Sequence, residues 1–97
     1  MGAADQSILE RLFALIETRK DGDSRTSYTA QLLQAGPEMI GAKIREAASE
    51  TAKAALNPTP ERRKRVAAES ADLLYHFLVL WADASVAPGD VWAELAR

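Results

Sequence analysis

Ninety-seven residues with a formal net charge of −2, 47% hydrophobic content, 6% aromatic content and no cysteine make one small domain, residues 1–97. The missing cysteine excludes disulfide scaffolds, thiolate zinc sites and cysteine nucleophiles. The near-balanced charge gives no steering toward nucleic acid or an anionic membrane, and so few aromatics argue against a base-stacking surface.

Residues 1–7 have neither the basic start nor the apolar stretch of a signal peptide. Ser7 with Glu10 reads as a capping box, followed by Ile8, Leu12, Leu15 and Ile16 at helical spacing to about Arg19. Residues 20–26 are polar around Gly22 and form a loop. Ser27 caps a short helix, Tyr28 to Ala35, which Gly36 ends. Pro37 opens a long helix to Leu56, because its missing N–H is unpaired in a first turn anyway. Asn57-Pro58 stops that helix. Thr59 and Pro60 then read as N-cap and first residue of the longest helix, to about Ala84, and a last short helix covers residues 89–96. The apolar run 73–82 is interrupted by His76 and is far too short to cross a bilayer. The expected fold is all-α: a helical bundle built on two long antiparallel helices, completed by oligomerisation. A cytoplasmic protein follows as the default.

The acidic residues carry the chemistry. At about 100° per residue, Ile40, Ile44, Ala48, Thr51 and Ala55 form the apolar stripe of the first long helix, with Glu46 and Glu50 more than about 90° away beside Lys43 and Lys53. Taken alone, that row is a solvated face laced with ion pairs. On the second long helix Val66, Leu73, Leu74, Phe77, Leu78, Leu80 and Trp81 cover most of the circumference and leave Glu69, Asp72, His76 and Asp83 as a narrow polar stripe. Carboxylates there need partners. Either an arginine is buried against them, or they converge with Glu46 and Glu50 around a hard cation such as Mg²⁺. His76 reads as a hydrogen-bonded core residue or as a proton carrier. The basic run Arg62, Arg63, Lys64 and Arg65 opposes the helix macrodipole, either as a solubility patch or because phosphates come to that end.

Three blocks carry a family resemblance: Ser27-Tyr28-Thr29-Ala30-Gln31-Leu32-Leu33 with Gly36, Lys43-Ile44-Arg45-Glu46-Ala47-Ala48-Ser49-Glu50, and Glu69-Ser70-Ala71-Asp72-Leu73-Leu74-Tyr75-His76. In order and spacing they resemble the phosphoribosyl-ATP pyrophosphatases of histidine biosynthesis, within the all-α MazG-like NTP pyrophosphatases. The resemblance implies Mg²⁺-dependent hydrolysis of phosphoribosyl-ATP to phosphoribosyl-AMP and pyrophosphate. It carries Glu46, Glu50, Glu69 and Asp72 over as metal ligands, with Glu50, or Glu46, as general base. Lys43, Arg45, Tyr28, Thr29, Arg62, Arg65 and His76 become candidate substrate contacts. It also implies a homodimer or tetramer, for which Trp81, Trp92 and Phe77 offer surface.

Three departures stand out. Ala47 replaces the second of two adjacent glutamates, Arg45 a glycine and Gln31 a lysine. A housecleaning NTP pyrophosphatase, or a non-catalytic helical module whose metal site has decayed at Ala47, are the alternatives. Ninety-seven residues leave no room for a cyclohydrolase in the same chain.

Overall fold

A computed structural model describes residues 7–97. Five helices follow in chain order: α1 (Ser7–Glu17), α2 (Tyr28–Ala35), α3 (Pro37–Leu56), α4 (Arg62–Asp83) and α5 (Pro88–Leu95), with no strand among the described residues. Ser7 is the first residue of α1 rather than its cap, so the capping position falls outside the described residues. Glu10 turns elsewhere, its carboxylate accepting the Trp92 indole N–H at 2.7 Å and tying α5 to α1.

The boundaries of α2 follow local chemistry. Ser27 has extended backbone and its hydroxyl accepts the Ala30 N–H at 3.1 Å, satisfying one orphan donor of the first turn. Gly36 then serves two helices. Its N–H closes α2 on the Leu32 carbonyl and its own carbonyl accepts the Ile40 N–H of α3, both at 3.1 Å. This needs φ 96° and ψ 176°, a region that a side chain makes costly.

The start of α4 differs from expectation. Thr59 and Pro60 lie in a turn in which the Thr59 carbonyl accepts the Arg62 N–H, and the helix begins at Arg62. The Arg62 guanidinium Nε donates to the Ala55 carbonyl at 2.7 Å, capping the C-terminal end of α3 with a positive group where the macrodipole favours one. That contact sets the first turn of α4 beside the last turn of α3. Further along, Asp72 and His76 stand opposite Lys43, Glu46, Ala47 and Glu50, so the order of contacts is inverted between the two helices. α4 ends in a Schellman arrangement: Ser85 takes φ 60°, the Val86 N–H reaches the Trp81 carbonyl at 2.8 Å and the Ser85 N–H the Ala82 carbonyl at 3.3 Å.

The core joins four helices: Ile16 of α1, Leu32 of α2, Ile40 of α3 and Leu78, Val79 and Ala82 of α4, with Leu12, Phe13, Ile44 and Tyr75 packed around it. On α3 the stripe turned inward is Ile40, Ala47 and Ala54, with Ile44, Thr51 and Ala55 half-buried; Ala48 is exposed, so the stripe is rotated by roughly 40° from the one expected, Ala47 and Ala54 taking the places given to Ala48 and Ala55. On α4 Leu74 is 43% exposed, which leaves a solvent-facing side wider than the narrow polar stripe expected. Trp81 and Trp92 pack edge-to-face on each other, centroids 6.0 Å apart, and with Phe77 are half-buried within the chain. The large apolar side chains facing solvent are instead Ile8, Leu15, Met39, Leu56, Leu74 and Leu95.

Candidate active site

The corrected phase of α3 decides what its acids can do. With Ala47 and Ala54 turned toward α4, helical geometry puts Glu50 only about 60° and Glu46 about 100° from that contact line. Glu50 therefore flanks the α3/α4 seam, and Glu46 stands at the edge of the solvent face beside it. The seam opens there into a cavity of about 440 Å³ lined by Tyr28, Lys43, Glu46, Ala47, Glu50, Asp72 and His76. Three carboxylates from two helices share it with one ammonium group.

None of these acids is buried. The side chains of Glu46, Glu50 and Asp72 are 66%, 47% and 54% exposed, so neither desolvation nor a buried arginine partner governs them. The i,i+3 pairs read from sequence are present, Lys43–Glu46 at 3.5 Å and Lys53–Glu50 at 3.8 Å. Exposed pairs of this kind are worth about 0.3–0.5 kcal/mol each, so either opens readily for a ligand. Among the described residues no three carboxylate or imidazole groups stand close enough to grip one metal ion. The acids line the rim of an open site.

The opposite wall is aromatic and fully hydrogen-bonded. His76 is buried, with Nδ1 2.8 Å from the Asp72 carbonyl oxygen and Nε2 3.1 Å from the Tyr28 hydroxyl. Tyr28 and Tyr75 stack at 6.4 Å, and the His76 ring meets each edge-on. Burial raises the Tyr28 phenol pKa; nearby Lys43 acts the other way, while Tyr75, Asp72 and Glu46 reinforce the rise. The phenol thus keeps its proton beside the carboxylates.

Residues 9–97 match the phosphoribosyl-ATP pyrophosphohydrolase family. The chain belongs to that family. It is 50% identical over 95 residues to the phosphoribosyl-ATP pyrophosphatase of Paramagnetospirillum magneticum, covering 98% of this chain and 84% of that one. The Rhodospirillum rubrum protein of the same name is 51% identical over 90 residues, 93% and 74% of the two chains. The Azospirillum brasilense one is 45% identical over 91 residues, covering 94% and 79%.

Within this family member the candidate residues divide by place. Tyr28, Lys43, Glu46, Glu50, Asp72 and His76 meet at one cavity. Glu69 lies one turn before Asp72 on α4, half-buried and outside the cavity lining. Thr29 turns to a second cavity of about 380 Å³ between α1, α2 and the loop joining them, where its hydroxyl bonds the Tyr75 phenol. Arg45 lies along α3 beside Glu38, Met39 and Ala42, outside the cavity that Glu46, Glu50 and Asp72 line. Arg62 is engaged at the end of α3, and Arg65 is exposed one turn further on.

The structure adds two features, the burial of Ala47, which the sequence marked only as a missing carboxylate, and a second polar rim. Ala47 is only 3% exposed and sits in the cavity lining, so the position is central to the seam. Arg19, Asp23 and Ser27 rim the second cavity, and their scatter over a helix end, a loop and a cap gives no periodic signal.

Proposed function

We propose that this chain hydrolyses phosphoribosyl-ATP to phosphoribosyl-AMP and pyrophosphate in the histidine pathway of the cytoplasm, with Mg²⁺ held by Glu46, Glu50, Glu69 and Asp72. The observation that carries this reading is the meeting of Glu46, Glu50 and Asp72 with Lys43 at one open cavity, in a chain that matches its family over residues 9–97. The donor chemistry fits the ion. Apart from the Tyr28 phenol, the oxygen donors at the cavity are carboxylates in weak exposed pairs, and Mg²⁺ keeps several waters, so it needs a few rim carboxylates and not a closed cage. The one nitrogen donor nearby, His76, has both ring nitrogens occupied by protein partners. Ala47 withholds one carboxylate from the set, which lowers affinity or the number of ions held.

When bound, Mg²⁺ supplies charge neutralisation on the polyphosphate oxygens. The protein side chains do the rest. Lys43 exchanges its pair with Glu46 for a phosphate oxygen. Glu50 accepts the proton of the attacking water as the α–β anhydride bond breaks, with Glu46 able to take that role when Lys43 has left it. Tyr28 and His76 form the wall against which the nucleoside lies. Thr29 steadies that wall through Tyr75. Arg45, Arg62 and Arg65 do not reach the cavity of their own chain, and act on substrate only from a neighbouring subunit.

A homodimer or tetramer is part of the proposal. The exposed Ile8, Leu15, Met39, Leu56, Leu74 and Leu95 support it, since a chain this short gains much from a partner. Pyrophosphate release from phosphoribosyl-ATP, set beside ordinary NTPs, tests the assignment. Preference for phosphoribosyl-ATP is expected. Preference for an ordinary NTP would move the chain to the housecleaning branch, and no release from any would favour the non-catalytic module.

A further inference from the structure

His76 is the only histidine in the chain and is 5% exposed, with a protein partner on each ring nitrogen. The two partners are chemically unequal. Nδ1 faces the Asp72 carbonyl oxygen at 2.8 Å, which has no proton to give, so Nδ1 carries the hydrogen. In the neutral ring Nε2 is then a bare acceptor. The Tyr28 hydroxyl, 3.1 Å away, must donate to it. That leaves the Tyr28 oxygen with lone pairs alone to offer the cavity.

We infer that His76 is a positioning residue that fixes the Tyr28 hydroxyl as a hydrogen-bond acceptor toward the cavity, so that Tyr28 takes a ribose hydroxyl or base amino group and not a phosphate oxygen. Phosphate oxygens are acceptors at neutral pH, and an acceptor facing them gains nothing. Lys43 on the same cavity has the complementary character, with donors only. The wall is thereby divided: Tyr28 receives the sugar or base and Lys43 the phosphates. The ring also spares Asp72. Its carboxylate Oδ1 is 3.7 Å from Nδ1, beyond the nearer backbone carbonyl, so neither carboxylate oxygen is needed to hold the imidazole. This substrate assignment rests on reading the cavity as the nucleotide site, whereas the direction of the hydrogen bonds does not.

Long-range ¹⁵N–¹H spectra of the wild-type ring test the direction first, and a single histidine makes the signals unambiguous. Hydrogen on Nδ1 with a bare Nε2 is expected; hydrogen on Nε2, alone or together with Nδ1, overturns the inference. Tyr28→Phe removes the acceptor, while His76→Asn keeps a donor for the Asp72 carbonyl and loses the group that Tyr28 bonds. Each is expected to raise KM for phosphoribosyl-ATP about fivefold to tenfold, the size of one lost hydrogen bond, with kcat within about twofold. The double variant should match Tyr28→Phe, because His76 acts through Tyr28. An unchanged KM in Tyr28→Phe, or a further rise when His76→Asn is added to it, contradicts the inference. Should His76→Asn not fold, the ring spectra and Tyr28→Phe still decide. Should the wild type not turn phosphoribosyl-ATP over, the proposed function fails, and the same comparison is made on Kd by calorimetry.

Discussion

Asp72→Asn separates a residue that works from one that merely holds the fold. The Asp72 side chain is 54% exposed, and its nearest ionisable partner is the His76 ring at 3.7 Å, already bonded to backbone. An i,i+4 contact at that distance, with the carboxylate in solvent, is worth about 0.5 kcal/mol. Removing a negative charge beside Glu46 and Glu50 also relieves repulsion, which brings the net change nearer zero. In EDTA the melting temperature should therefore stay within about 4 °C of the parent, taking 4–8 °C per kcal/mol for a domain of this size. Activity should respond very differently. Losing one preorganised charged group at a reacting phosphate costs on the order of 100-fold or more in kcat, about 2.7 kcal/mol of barrier. Paired melts and pyrophosphate-release assays on the same preparation check both halves. A fall of more than about 10 °C in EDTA, or activity within a few fold of the parent, refutes the reasoning.

The remaining predictions address the frame around the site. Leu78→Ala, at a position 0% exposed in the centre of the core, should cost about 2–5 kcal/mol in urea unfolding. Gly36→Ala forces a Cβ into the φ 96° junction between α2 and α3 and should cost about 1–3 kcal/mol by the same assay. Ser85→Gly relieves a side chain at φ 60° in the α4 cap and should raise stability by about 0.5–1 kcal/mol, seen as a higher denaturation midpoint. Ala47→Glu puts a carboxylate where the chain is 3% exposed; in EDTA it should lose about 1–3 kcal/mol, and Mg²⁺ should raise its melting temperature more than the parent's.

Much of the helical framework was readable because its punctuation is local. Ser27, Gly36, Pro37 and Asn57-Pro58 act through caps, backbone conformation and missing donors, and α2 and α3 begin and end where those residues require. The start of α4 was not readable. Thr59-Pro60 is a sound local start, but the Arg62 contact with the Ala55 carbonyl, seven residues back, belongs to the helix pair. The α4 end fell within a residue of the expected Ala84, but its cap gave no local signal, because the left-handed residue is Ser85 and not glycine.

The site was half visible. Spacing put Glu46 with Glu50 and Asp72 with His76, yet the phase of α3 was lost among its alanines. Ala47 and Ala48 are equal on any hydrophobic scale, and only packing against α4 chose Ala47. That rotation of roughly 40° brings Glu50 from the far face to the rim of the seam, where Glu46 joins it at the edge. The roles of Tyr28 and His76 are a tertiary fact as well, since 48 residues separate the bonded pair.

Pyrophosphate release from phosphoribosyl-ATP, measured in Mg²⁺ and again after chelation by EDTA, tests the account most directly. Rapid release that stops on chelation and returns with added Mg²⁺ is the predicted result, and it would show that a rim carrying Ala47 suffices. Release unaffected by chelation, or none in either condition from folded protein, would contradict the account.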